Sequence, residues 1–141
     1  MKWHKRFLDL AATVARWSRD PSTRVGAVIV RPDRTVSSMG YNGFPRGVFD
    51  TDERYSDRPT KYQFICHAEA NAIVSAHEPL VGHTLYATLF PCNECAKLII
   101  QSGIKTIVAP KEGNERWTDS HKIASQMFEE AKVEVITIEN N

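Results

Sequence analysis

Two short segments of the sequence combine residue types that bind metals and transfer protons. Residues 66–69 read CHAE, and residues 90–95 read FPCNEC. Cys92 and Cys95 are three positions apart, so at the start of a helix both sulfurs point to the same side. Together with His67 from a neighbouring element they make three zinc ligands. Three protein ligands leave one tetrahedral position for water, which is the arrangement of a catalytic zinc site rather than a structural one.

Each segment alone is compatible with a different kind of site. A Cys-x-x-Cys pair is equally typical of a redox pair or of half a structural zinc site. Both segments are predicted to start helices about 25 residues apart, with Pro91 at the first helical position of the second, and this combination favours the open zinc site. Glu69 is then the predicted proton acceptor and donor beside the water. Cys66 is an alternative fourth ligand, but adjacent side chains on a helix diverge by about 100°, so a buried thiol is expected there.

The surrounding sequence predicts an alternating α/β chain. Helical periodicity covers residues 3–17, with Trp17 on its apolar stripe, and residues 66–77, 92–102 and 117–131. Short β-rich runs cover residues 25–30, 35–41, 84–89, 104–109 and 133–138. The first two runs predict a hairpin, and the later ones predict parallel strands joined by helices. Residues 42–63 lack a sustained period and are predicted to form a long functional loop. The order αββαβαβαβ predicts one domain over residues 1–141, with a five-stranded sheet flanked by helices.

Composition and charge exclude several classes of protein. The net charge is +1, with 18 basic and 17 acidic residues, so no basic excess favours a nucleic-acid partner. No run approaches the roughly 20 apolar residues of a membrane span, and the N-terminus lacks a secretory signal, so no membrane association and a cytoplasmic location are expected. Three cysteines in a reducing compartment favour metal binding over disulfides.

Four blocks carry a resemblance to a known family: SRDPSTRVGAVI at 18–29, GYNGFPRG at 40–47, CHAEANAI at 66–73 and LYATLFPCNECAK at 85–97. The H-x-E and P-C-x-x-C pair is the signature of zinc nucleobase deaminases in general. The second and fourth blocks resemble the deoxycytidylate (dCMP) deaminases of the cytidine deaminase superfamily. The resemblance implies a three-layer α-β-α cytidine-deaminase-like fold with a mixed sheet. It also implies hydrolysis of dCMP to dUMP with release of ammonia, on the route to dTTP.

The same resemblance implies roles for individual residues. His67, Cys92 and Cys95 hold zinc, Glu69 shuttles protons, and Asn42 contacts the sugar or base of the nucleotide. An alternative for Asn42 is an Asn-Gly turn in which the side chain only tolerates a positive φ. Ala68 is a further candidate for substrate contact.

Phosphate recognition requires a guanidinium group or a cluster of N–H groups. Arg24, with Ser22 and Thr23 in the turn before the first strand, is the first candidate, and Arg116 is the second. Either arginine is also compatible with an ordinary surface position. Trp117 is a candidate for stacking on a base, with a core or interface position as the alternative.

Regulation is a further implication. Many relatives are hexamers activated by dCTP and inhibited by dTTP, often with Mg²⁺, and residues Gly40, Tyr41, Asn42 and Gly43 resemble the part linked to that control. The region from Phe44 to Lys61 resembles the family's lid and effector-binding segment. A homo-oligomer, either a hexamer or a dimer, is therefore expected. Residues 43–63 contain no Cys or His, so the second zinc site of some relatives is not expected, and the 109–117 segment departs from the tyrosine-rich form of regulated members.

The sequence leaves three competing interpretations open. One is a deaminase of tRNA or single-stranded nucleic acid, which would need a basic groove lined by aromatic residues. Another is a related nucleotide substrate, such as 5-substituted dCMP or dCTP. The third is a non-catalytic zinc module, which gives no reason for a carboxylate at Glu69.

Overall fold

The structure is a computed structural model that describes residues 2–111 and 118–139. In these ranges the strands are β1 (Gly26–Val30), β2 (Val36–Tyr41), β3 (Thr84–Ala87), β4 (Thr106–Pro110) and β5 (Glu134–Ile138). The helices are α1 (Lys2–Ala15), α2 (Asp52–Ser56), α3 (Arg58–Phe64), α4 (Ala68–Ser75), α5 (Asn93–Gln101) and α6 (Thr118–Glu130).

The five strands form one mixed sheet in the order β2-β1-β3-β4-β5. The hairpin makes β1 and β2 antiparallel, and β1 is also antiparallel to β3. The pairs β3–β4 and β4–β5 are parallel, because α5 and α6 connect them as crossovers. The predicted hairpin and the predicted parallel strands are both confirmed.

Side chains of the central strands alternate between two apolar layers, as strand geometry requires. Ala27 and Ile29 of β1 face a cluster that includes residues of α4, α5 and α6, whereas Val28 and Val30 face a cluster that includes residues of α1. The sheet is thus covered on both faces, and the predicted three-layer α-β-α arrangement is confirmed. Across residues 2–111 and 118–139, no helix combines the length and the apolarity that a bilayer crossing needs.

Two glycines bring helices close to the sheet. A Cβ atom on Gly26 would lie 2.0 Å from the carbonyl oxygen of Ala11 in α1. A Cβ atom on Gly40 would lie 2.5 Å from the amide nitrogen of Ala72 in α4. Both positions therefore require glycine for close packing, and Gly40 fixes the distance between β2 and the helix that starts at the CHAE segment.

The predicted end of the first helix is wrong. Helix α1 ends at Ala15, and Trp17 is 55% exposed. The amides of Arg16 and Trp17 donate to carbonyls three residues back, which tightens the last turn and rotates Trp17 off the apolar stripe. The next residue, Ser18, is buried and donates to the carbonyl of Asn42 at 2.8 Å, which draws the chain towards the sheet.

The prediction of a long loop over residues 42–63 is also wrong in part, because α2 and most of α3 lie within it. Both helices are too short to show a 3.6-residue period, so their signals are local. The hydroxyl of Thr51 caps α2 by accepting from the amide of Arg54 at 3.3 Å, and a proline lies at the start of α3. Phe44 stacks on Tyr55 with ring centroids 4.3 Å apart and contacts Phe64 at 5.6 Å, which holds the segment together.

Candidate active site

The N-terminal ends of α4 and α5 meet at one place beside the sheet. His67 is the N-cap residue of α4, and Cys92 is the N-cap residue of α5. Cys95 lies in the first turn of α5. The Nδ1 atom of His67 lies 3.4 Å from Sγ of Cys92 and 3.3 Å from Sγ of Cys95. The ligand atoms of the three residues all lie within 4.8 Å of one another.

The donor set fits zinc. One imidazole nitrogen and two sulfurs are the ligand types that zinc prefers, and three protein ligands leave a position open for chemistry. Cys66 is not part of this group among the residues that the structure describes. Its backbone exchanges two hydrogen bonds with Gly43 before the helix begins, and the residue is half-buried rather than fully buried as predicted.

Pro91 does not occupy the predicted first helical position. It precedes Cys92, which is the N-cap residue, and α5 starts at Asn93. The thiol of Cys92 accepts from the amide of Cys95 at 3.4 Å, so the ligand side chain is also the cap of its own helix. A cysteine is an unusual cap, which explains why the sequence pattern placed the helix start one or two residues early.

Hydrogen bonding shifts the acidities within the cluster. A hydrogen bond from the Cys95 thiol lowers the pKa of Cys92 well below its ordinary range, and a bond with His67 lowers it further. The same contact with Cys92 raises the pKa of Cys95. The bond to Cys92 also raises the pKa of His67. Because zinc binds thiolates, the lowered pKa of Cys92 favours the form that the metal needs.

Glu69 lies in the first turn of α4 and is only 4% exposed. Burial raises the pKa of its carboxyl group to about 7. A carboxyl group with a pKa near neutrality can both accept and donate a proton at pH 7, as general acid–base catalysis requires. Glu69 lines the same pocket as His67 and Cys92.

The pocket extends from the cysteine cluster to a polar wall. Its empty volume is about 670 Å³, part of which is open to solvent. The polar wall includes Thr23, Asn42, Lys61 and Asp20, and apolar sides come from Phe90 and other residues. The size suits a small molecule that carries several hydrogen-bonding groups.

Comparisons with known proteins agree with this geometry. The sequence profile described as "Cytidine and deoxycytidylate deaminase zinc-binding region" matches residues 1–111. The chain belongs to this family. An uncharacterized deaminase encoded in the luxG 3' region of Aliivibrio fischeri is 44% identical over 137 residues, which cover 95% of this chain and 92% of that protein.

Two further relatives in this family are named as deaminases of one nucleotide, deoxycytidylate (dCMP). The deoxycytidylate deaminase of Mus musculus is 45% identical over 116 residues, which cover 77% of this chain but 64% of the mouse protein. The crystal structure of dCMP deaminase from the cyanophage S-TIM5, in complex with dCMP and dUMP, superposes with a TM-score of 0.78 at 28% identity and covers 97% of both chains. The predicted cytidine-deaminase-like fold is thereby confirmed.

The structure brings only some of the predicted substrate residues of this deaminase to the pocket. Thr23, Asn42 and Ala68 line it, whereas Ser22 and Arg24 are exposed and do not. Arg116 and Trp117 lie outside the described residues.

Asn42 has a structural role that neither sequence hypothesis included. Its Oδ1 accepts from the amide of Val25 at 2.8 Å, and its Nδ2 donates to the carbonyl of Thr23 at 2.8 Å. A positive φ is not the reason for asparagine here, because among the described non-glycine residues only Arg34 and Lys132 have one. Asn42 therefore ties the end of β2 to the turn before β1.

The residues of the predicted effector segment differ in their surroundings. Gly40 is buried against α4, and Gly43 pairs with Cys66. Tyr41 is exposed and meets Trp17 edge-on, with ring centroids 6.3 Å apart. Packing thus accounts for Gly40, whereas a Cβ atom on Gly43 would meet nothing nearer than the hydroxyl of Tyr55 at 3.9 Å.

Sequence reasoning missed several pocket residues, among them Asp20, Lys61 and His121. Asp20 and Lys61 are charged residues that carry no pattern of burial in the sequence, and in the fold they are buried and pair with each other at 3.3 Å. His121 gave a usable signal, because it lies three and seven residues before Ala124 and Phe128 on the buried stripe of α6.

Proposed function

We propose that the protein is a zinc-dependent hydrolase that converts dCMP to dUMP with release of ammonia. The observation that carries this proposal is the His67, Cys92 and Cys95 cluster opening into the pocket that also contains the buried carboxyl group of Glu69. The cyanophage relative, which was crystallised with dCMP and dUMP, supports the choice of nucleotide. The match covers only 64% of the length of the mouse deoxycytidylate deaminase. The substrate of this chain is therefore a proposal.

In this proposal His67, Cys92 and Cys95 hold one zinc ion. Zinc in such a site supplies a water molecule whose pKa is lowered to about 7, and therefore a nucleophile at neutral pH. The chain's own contribution is proton transfer by Glu69. Its carboxylate would take a proton from the water molecule as the water oxygen bonds to C4, and would deliver this proton to ring nitrogen N3. It would then take the second proton from the hydroxyl group on C4 and pass it to the amine, whose bond to C4 breaks to release ammonia. The burial that raises the pKa of Glu69 suits it to both directions of transfer.

Recognition of the nucleotide is proposed for the polar wall of the pocket. Asn42, Thr23 and Ala68 would contact the sugar and base, since all three line the pocket. Arg24 is proposed for the 5'-phosphate. Its Nε donates at 3.2 Å to the carbonyl of Asp20, a residue that lines the pocket, while Arg24 itself stays exposed. Lys61 lines the pocket, but its ammonium group is paired with Asp20.

The proposal is tested with purified protein that contains zinc. Release of ammonia is measured with cytidine, CMP, dCMP, dCTP and a cytosine-bearing oligonucleotide at equal concentrations. The expected result is the highest kcat/KM for dCMP. A preference for the oligonucleotide would replace this proposal by a nucleic-acid deaminase, and absence of turnover with every compound would favour a non-catalytic zinc module.

The phosphate assignment has a separate test. Arg24→Gln is expected to raise KM for dCMP and to leave the kinetics of deoxycytidine, which lacks the phosphate, unchanged. Arg16→Gln, at an exposed arginine next to the end of α1, is the matched control. Equal kinetics of Arg24→Gln and the control on dCMP would contradict the assignment.

Several predictions stay predictions. The family resemblance implies regulation by dCTP and dTTP with Mg²⁺ and assembly into a hexamer or dimer, whereas the single-domain organisation and the cytoplasmic location are expected from the sequence pattern. Rates measured with and without dCTP and Mg²⁺, together with light scattering for the molar mass, test the first two.

A further inference from the structure

The turn that carries Cys92 is held on both sides by α6, an element far away in sequence. On the N-terminal side of the turn, the ring of Phe90 lies 5.3 Å from that of His121 and 6.3 Å from that of Phe128. On the C-terminal side, Asn93 is bound by Ser120. The chain is therefore held against α6 on both sides of Cys92.

The contact between Asn93 and Ser120 uses the serine hydroxyl in both directions. The amide of Asn93 donates to Oγ of Ser120 at 2.9 Å, and this hydroxyl donates to Oδ1 of Asn93 at 2.8 Å. Both distances are typical of good hydrogen bonds. The serine hydroxyl accepts from the backbone of Asn93 and donates to its side chain at the same time. The two bonds together fix both the backbone and the side chain of Asn93 relative to α6.

This contact satisfies a backbone donor that an N-cap side chain does not reach. The first four amides of a helix have no partner inside the helix, and the N-cap side chain normally accepts from the second or third of them and not from the first, which in α5 is that of Asn93. In α5 the cap is Cys92, whose sulfur accepts from Cys95 at 3.4 Å and is also a member of the ligand cluster. The amide of Asn93 thus needs an acceptor from elsewhere, and Ser120 supplies it.

We infer that Ser120 is a positioning residue for zinc, which holds the Cys92 turn in the geometry that binds the metal. The inference rests on zinc binding by the cluster and not on the identity of the substrate. Groups that orient metal ligands from behind typically change metal affinity by about 10- to 100-fold when they are removed. The docking of α6 therefore sets the zinc affinity of a site formed by α4 and α5.

The test measures zinc affinity directly. Zinc-free wild type, Ser120→Ala and Ser102→Ala are titrated with Zn²⁺ in competition with a chromophoric chelator, and the folded state of each is checked by circular dichroism. Ser102 follows the opposite end of α5, where its hydroxyl donates to the carbonyl of Ile99 at 2.7 Å. Ser102→Ala is therefore the matched control, because it also removes a serine hydrogen bond to α5 but does so far from the zinc ligands. Ser120→Ala is expected to weaken zinc binding by about 10- to 100-fold, and Ser102→Ala to leave it unchanged.

Asn93→Ala separates the two bonds. It removes Oδ1 but keeps the backbone amide that Ser120 accepts from, so a smaller loss of zinc affinity than for Ser120→Ala is expected. A larger loss would assign the effect to the asparagine side chain and overturn the role of Ser120. The inference also fails if Ser120→Ala binds zinc like wild type, or if Ser102→Ala weakens binding equally. Wild type that binds no zinc would overturn it together with the proposed function, whereas zinc binding without deamination would affect the proposed function alone.

Discussion

Replacing Lys61 by methionine should destabilise the protein strongly, although the change adds an apolar side chain of similar length. The ammonium group of Lys61 lies 3.3 Å from the carboxylate of Asp20, and the side chains are only 7% and 4% exposed. Removing one partner of a buried ion pair leaves the other as an uncompensated charge, which typically costs about 3–5 kcal/mol.

The remaining contacts of Asp20 place the expected value within that range. Its Oδ1 accepts from the amides of Ser22 at 2.8 Å and Thr23 at 3.3 Å, its Oδ2 accepts from Nδ2 of Asn42 at 3.4 Å, and these bonds survive the mutation. They solvate the carboxylate in part, so a loss of about 3 kcal/mol, the lower end of the range, is expected.

The assay is urea unfolding of the zinc-loaded protein at pH 7, followed by fluorescence and circular dichroism to check two-state behaviour. The control is Lys97→Met, which removes an ion pair with Glu94 whose side chains are 53% and 72% exposed. That pair should contribute less than about 1 kcal/mol. The double variant Asp20→Asn with Lys61→Met should lose less than Lys61→Met alone. If Lys61→Met were as stable as the control, the argument from buried charge would be refuted.

Three further predictions concern catalysis, packing and pH. Glu69→Gln should keep stoichiometric zinc, measured by atomic absorption, and lower kcat for deamination by about 10²- to 10⁴-fold; undiminished turnover would show that another group moves the proton. Gly40→Ala should lower the free energy of unfolding in urea by about 1–3 kcal/mol, since its Cβ would lie 2.5 Å from a backbone nitrogen of α4. Gly43→Ala, whose nearest neighbour is a hydroxyl at 3.9 Å, should change it by less than about 1 kcal/mol, and equal effects would contradict the packing explanation. Hydrogen bonds, the first from Arg31, lower the pKa of Glu78 from 4.5 to about 2. Its stabilising contribution is therefore present above pH 4.5 and lost as the pH falls towards 2. Glu78→Gln should accordingly flatten the decline of Tm between about pH 5 and 3, and an unchanged slope would contradict it.

The fold was largely predictable because its signals are local and repeated. The alternation of β-rich runs with helical stripes indicated the sheet and its helical crossovers. The errors fall where a local pattern competes with tertiary contacts. In the sequence Trp17 continues the apolar stripe of α1. In the structure the helix ends at Ala15, because the buried Ser18 binds the carbonyl of Asn42 and draws the chain towards the sheet. The helices within residues 42–63 are too short for periodicity to reveal them.

The sequence by itself determined which side chains could bind zinc and transfer a proton, because ligand type and short spacing are properties of the chain. It placed His67, Cys92 and Cys95 at two helix starts, and Glu69 in the same turn as its histidine. Only the tertiary structure decided what surrounds them. The burial of Lys61 against Asp20 and the support of Asn93 by Ser120 join residues 41 and 27 positions apart. Such contacts leave no local pattern, because a polar side chain becomes buried only when a distant segment supplies its partner.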